Sequence, residues 1–160
     1  MNRQRRSFLK GALATGGAMA LGATVLPQSV MADWPEKARA AFSTKSIEGI
    51  SKALFENDGV IEETDKITIK APNIAENGAV VPVEIMADLK KVESIVIIGE
   101  KNPTPLIGQF NFPDPESTVF WVKVKVKLAK TSNVIAVVKA NGKLYAARRE
   151  VKITVGGCGG

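Results

Sequence analysis

The chain has 160 residues, with 22 basic and 16 acidic side chains, no histidine and one cysteine. Without histidine, Ser-His-Asp and Cys-His nucleophilic catalysis and nearly every usual zinc, copper or haem site are excluded. A single cysteine allows neither an internal disulfide nor a Cys-x-x-Cys dithiol cycle.

The N-terminal segment reads as an export signal. Arg5-Arg6-Ser7-Phe8-Leu9-Lys10 is a twin-arginine pair followed by an Ala/Gly/Leu run from Gly11 to Leu26, the pattern of a twin-arginine leader. That run is short and glycine-rich for a membrane anchor. Val30-Met31-Ala32 supplies a small-residue cleavage pattern, so residues 1–32 are expected to be removed, leaving 128 residues from Asp33 onward. One domain is the expectation at that length. Four of the 22 basic residues, Arg3, Arg5, Arg6 and Lys10, lie in the leader, which has no acid. The remainder carries 18 basic against 16 acidic residues, a net +2. So balanced a domain has no electrostatic footprint for nucleic acid.

Pro35 to Phe42 and Ser46 to Phe55 read as two short helices, with Ile47, Ile50, Ala53 and Leu54 on one stripe, a packing face at helical spacing. Gly59 closes this region. Glu62, Glu63 and Asp65 read as a solvated turn, with an acidic docking spot as the alternative.

From Lys66 onward, short Val/Ile/Thr-rich runs are separated by Pro, Gly and Asn at all-β spacing. Seven strands are predicted: Lys66 to Ala71, Ala79 to Met86, Glu93 to Ile98, Leu106 to Phe112, Thr118 to Leu128, Asn133 to Ala140 and Lys143 to Val155. Asn141-Gly142 is the strongest hairpin signal, because both central positions of a type I′ turn need positive φ. The simplest architecture is an immunoglobulin-like antiparallel β-sandwich with a short helical start, spanning residues 33–155. Asn102 to Glu116, with Pro103, Pro105, Pro113 and Pro115, is a long connection around the Leu106 strand. Val122 to Leu128 alternates strictly, with Lys123, Lys125 and Lys127 on one face. That pattern fits a half-buried strand whose lysines guard an edge; the alternative is an electropositive strip for an oxyanion or an acidic partner.

After Val155 the sequence runs Gly156-Gly157-Cys158-Gly159-Gly160, one nucleophilic sulfur between two pairs of glycines. No helix follows to make these glycines a phosphate cradle. Glycine has the widest backbone freedom, so residues 156–160 are expected to form a flexible arm. At about 3.3–3.6 Å per residue, three residues carry the sulfur roughly 10 Å beyond the last strand. Lacking side chains, the arm is thin enough for a narrow active-site channel. A free thiol has a pKa of about 8.5, and the arm offers no neighbouring base or cation to lower it. Activation therefore falls to whichever protein receives the arm. An incidental exposed thiol would invite dimer disulfides and oxidation in an oxidising compartment. A one-cysteine peroxidase would need a preorganised pocket that a glycine tail does not provide. A structural protein joined through an intermolecular Cys158 disulfide remains the alternative, and migration on a non-reducing gel separates the two.

Leader, helical start, β domain and the Gly156–Gly160 pentapeptide together resemble the SoxY family, the sulfur-compound carriers of the bacterial sulfur-oxidising (Sox) system. The pentapeptide is the specific element, and the β domain alone is not. The resemblance implies a periplasmic carrier, without cofactor and not itself an enzyme, that holds substrate covalently on Cys158. Gly156, Gly157, Gly159 and Gly160 would give access. It further implies a heterodimer with a SoxZ-like β-sandwich subunit. The enzymes acting on the arm would be a c-type haem Sox enzyme, a manganese-dependent Sox hydrolase and a sulfane dehydrogenase. Twin-arginine export handles folded cargo, so assembly with a partner lacking its own leader would account for the choice of pathway.

Overall fold

A computed structural model of the chain describes residues 36–56, 60–114, 116 and 119–155. The leader, Pro35, Gly59 and the Gly156–Gly160 arm with Cys158 lie outside the described residues.

Two helices lead into the sandwich. Helix α1 spans Glu36–Ser43 and α2 spans Ile47–Phe55. Ser46 is the N-cap of α2: its hydroxyl accepts from the Gly49 N–H at 3.0 Å, satisfying one of the amides the first turn leaves unpaired. Gly49 is required there, since a Cβ would run into the Thr44 and Ser46 side chains. Glu56 ends the helix in the left-handed region at φ 52°, its N–H returning to the Lys52 carbonyl at 2.9 Å.

Among the described residues nine strands follow: β1 Ile61–Glu63, β2 Ile67–Lys70, β3 Ile74–Asn77, β4 Val81–Ala87, β5 Val92–Gly99, β6 Leu106–Asn111, β7 Phe120–Val126, β8 Ser132–Ala140 and β9 Lys143–Val155. The larger sheet has the order β1-β9-β8-β5-β6, with β3 also on β9; the smaller is β2-β4-β7. All seven predicted strands are present, with ends shifted by no more than two residues, and they form the expected sandwich, whose main pairs are antiparallel.

Two short strands were not expected. Strand β1 pairs in parallel with Leu144–Ala146 of β9, and β3 with its last residues, Lys152–Val155. Glu62 and Glu63 therefore belong to a strand instead of a solvated turn, and Glu63 forms an ion pair with Arg148 of β9; Asp65 alone sits in a turn. Parallel addition to a long strand satisfies backbone groups that a turn would expose to water.

Two apolar layers hold the domain. Ile67, Val83, Ile85, Ile95, Ile97, Val122, Val134 and Val138 are among those packed between the sheets. On the other side of the larger sheet, Val96, Ile98, Ile135 and Val137 meet Ala41 and Ile50 of the helices, with Ile47, Ala53 and Leu54 packed against them. The predicted helical stripe is thus a packing face. Strands β5 and β8 are covered on both sides, which is why they read as continuous apolar runs. Strand β7 has one buried face and lies at an edge of the smaller sheet, with Lys123, Lys125 and Lys127 exposed. The edge-strand expectation for the lysines holds.

The β8–β9 hairpin closes through Asn141 and Gly142 at φ 51° and 74°, both in the left-handed region as a type I′ turn requires. The Gly142 N–H donates to Glu93 Oε1 at 3.0 Å, and Lys139 Nζ lies 2.7 Å from Glu93 Oε2. The lysine hydrogen bond is the main cause holding the Glu93 carboxyl below its ordinary pKa, against a smaller opposing effect of burial. A Cβ on Gly142 would touch nothing within 4 Å. Gly142→Ala should therefore destabilise by backbone strain alone, about 1 kcal/mol, measurable as a lower urea midpoint with an unchanged m-value.

Candidate functional site: the root of the cysteine arm

The candidate site is the place where β9 hands over to Gly156. Strand β9 is paired with β8 from Lys143 to Val151, and β3 takes over on its other side from Lys152 to Val155. Side chains reinforce this last stretch. Thr131 Oγ1 accepts from the Ile153 N–H at 2.9 Å, Thr154 Oγ1 donates to the Glu76 carbonyl at 3.1 Å, and the Lys152 N–H reaches the Asn73 carbonyl at 2.9 Å. Pairing holds through Val155, opposite Asn77.

Three connections surround this end of the sandwich. The β3–β4 turn accepts the Leu128 N–H at the Gly78 carbonyl, 2.8 Å away. Asn102, in the Pro-rich β5–β6 connection, donates from Nδ2 to the Lys127 carbonyl at 2.8 Å and accepts the Ala129 N–H at Oδ1 at 2.9 Å. The Lys101 N–H donates to Ser132 Oγ at 2.9 Å. Asn102 is thus a two-sided clamp between the β5–β6 and β7–β8 connections, a role its place among prolines did not reveal. Lys101, Lys127 and Lys130 are exposed at this end, as are Glu76 and Glu150, so the described surface at the arm root is charged.

Among the described residues no three His, Cys, Asp or Glu side chains cluster in a way that would hold a metal ion. A hollow of about 460 Å³ lies under α2, between Ile47, Ser51, Ile61, Ala146 and the Glu63–Arg148 pair. Ser51 Oγ is buried beside it without a hydrogen-bond partner. Glu48 and Lys52 complete its polar lining. No described helix is long and apolar enough to cross a membrane.

The structure thus defines a β-sandwich protein whose last described strand is paired as far as Val155, where the sequence goes on to a glycine-flanked cysteine. Residues 4–22 match the twin-arginine translocation signal, which makes the chain an exported, periplasmic protein. Residues 51–158, reaching as far as the cysteine, match the family described as sulfur oxidation protein SoxY. The chain belongs to the SoxY family. The sulfur carrier protein SoxY from Chlorobium limicola f thiosulfatophilum is 37% identical, over 72% of this chain and 96% of that one, with a TM-score of 0.61. A superoxide reductase (neelaredoxin) from Ignicoccus hospitalis is 19% identical over 55% of this chain and 79% of its own, and its TM-score of 0.44 carries no argument. No curated protein sequence matches.

Proposed function

We propose that this protein carries sulfur compounds covalently on Cys158 in the periplasm and presents them to Sox enzymes during thiosulfate oxidation, after residues 1–32 are removed. One observation carries the reading: a family match that extends through Cys158, on a chain whose cysteine is set between glycines immediately after a fully paired strand. The 37% identity to a sulfur carrier protein supports it. Residues 33–155 are the carrier body, and residues 156–160 the arm.

The chemistry balances with the protein as attachment point. In loading, the Cys158 thiol and the outer sulfur of thiosulfate form an S–S bond, releasing one proton and passing two electrons to a c-type haem enzyme. In unloading, water attacks the sulfonate sulfur at a manganese-dependent hydrolase. The bond between the two thiosulfate-derived sulfurs breaks, sulfate and a proton leave, and Cys158 keeps a persulfide. A sulfane dehydrogenase is the candidate for oxidising that persulfide. A SoxZ-like β-sandwich subunit is the expected heterodimer partner. Catalysis belongs to the partners, since the arm brings no acid, base or metal of its own.

Intact-mass spectrometry of protein purified without reductant from thiosulfate-grown cells, with fragmentation of the C-terminal peptide, tests the reading. Thiosulfonate or sulfane-sulfur adducts on Cys158 are the expected result. A bare thiol throughout, or only a disulfide between two chains, would leave an exported structural β domain instead.

A further inference from the structure

The outer face of the three-stranded sheet is unlike the rest of the surface. Outward side chains line up across its strands in register: Thr68, Met86 and Trp121 in one row, Lys70, Glu84 and Lys123 in the next, then Pro82 beside Lys125. Six large apolar side chains are exposed among the described residues, and three of them, Met86 (40%), Trp121 (46%) and Val119 (68%), gather at one end of this face. The Trp121 ring is held in place, because its Nε1–H donates to Glu84 Oε1 at 2.9 Å. Tryptophan fixed before binding is the residue type that anchors protein interfaces at low entropic cost.

Charge on the same face points to the partner. Lys70, Lys123 and Lys125 stand around a single carboxylate, Glu84, which is already engaged by Trp121 and lies 3.7 Å from Lys123. Two positive charges are left over, whereas the whole domain outside the leader carries only +2 across its surface. A permanent subunit interface is expected to be broad, apolar and poor in lysine, while this patch is compact and lysine-flanked, as transient, electrostatically steered encounters are.

Placement ties the face to the arm. The lysine end of β7 lies at the arm end of the sandwich, because Leu128 is bonded to Gly78 and Asn77 is paired with Val155. From Trp121 to Lys125 is about 13 Å of strand at 3.3 Å per residue. Three further residues, about 10 Å, reach Leu128 at the arm end, so the tryptophan, the lysines and the arm root fit under one standard footprint of about 800 Å² per partner.

We propose that this face is the surface on which an arm-receiving enzyme docks, through an acidic rim that meets Lys70, Lys123 and Lys125 and an apolar pocket that takes Trp121 and Met86. The inference rests on the carrier reading of Cys158. Docking of the body holds the arm root at the channel mouth, so that the arm searches a few ångströms instead of bulk solvent; the gain is in association and not in the chemical step.

The test uses the full mature protein and the purified haem-containing and hydrolytic enzymes of the same sulfur-oxidising system. Lys123→Glu with Lys125→Glu, and separately Trp121→Ala, are compared with wild type for loading and unloading of Cys158. The expected result is a KM for the carrier raised about tenfold or more in each variant with kcat unchanged, and, for the charge reversal, a flattened dependence of kcat/KM on salt. Active wild-type protein with unmoved KM in both variants would overturn the docking face and leave the carrier reading intact. Wild-type protein that is never loaded would overturn both. If Trp121→Ala dissolved a wild-type homodimer, or the charge reversal released a stoichiometric subunit on gel filtration, the face would be a permanent interface and the proposal would fall.

Discussion

Cys158→Ser is expected to abolish thiosulfate-dependent sulfate formation in the reconstituted system while leaving the thermal midpoint of the domain unchanged. A serine hydroxyl is isosteric with the thiol but cannot form the S–S bond on which loading depends, so no slower route through residue 158 exists. The described residues of both apolar layers reach no further along the chain than Ile153, so folding is expected to be insulated from the change. Sulfate release measured alongside a thermal melt separates the two effects. Normal turnover by the serine protein would remove Cys158 from the mechanism altogether.

The largest effect on folding is expected in the middle of β5. Ile97 is fully buried, faces the inter-sheet layer, and is paired with Ala136 on one side and Gly108 on the other. Those neighbours are small and cannot fill the space a truncation leaves. Ile97→Ala should therefore fall in the upper part of the usual range for buried aliphatic truncation, about 3–4 kcal/mol. In a domain of this size that lowers the midpoint by on the order of 10 °C. Denaturant unfolding measures it directly, and a loss under about 1 kcal/mol would mean that the sheets close around the cavity. Cys158 in this variant should still be loaded below the melting temperature, because the arm root at Val155 draws on β3 and Thr131 and not on Ile97.

Seven strands were legible because each carries its own evidence. Strand β7 alternates, β5 and β8 are unbroken apolar runs, and Asn141-Gly142 announces the hairpin between β8 and β9. Strands β1 and β3 carry no such mark. They are three and four residues long, and pair in parallel with partners roughly eighty positions away; Glu62 and Glu63 look like any solvated acidic stretch until Leu144 to Ala146 is seen beside them. Parallel pairing has no turn to advertise it. Asn102 was hidden for the same reason, since its bonds to Lys127 and Ala129 span about 25 residues. The candidate site rests on the sequence alone, as a lone cysteine among glycines, and Cys158 lies outside the described residues. What holds its root still, and which face accompanies it, depended on long-range pairing.

The late position of β9 has a consequence for biogenesis. It is the last of the described strands in chain order, yet it lies inside the larger sheet, between β8 on one side and β1 and β3 on the other. A nascent chain that has not delivered residues 143–155 leaves β1 and β3 without their partner, and β8 with an open edge along nine residues. Closure waits for contacts of high sequence separation, which form late and slowly. On a twin-arginine route, which carries folded cargo, the chain is expected to travel with β9 already inserted between β8 and the pair β1 and β3.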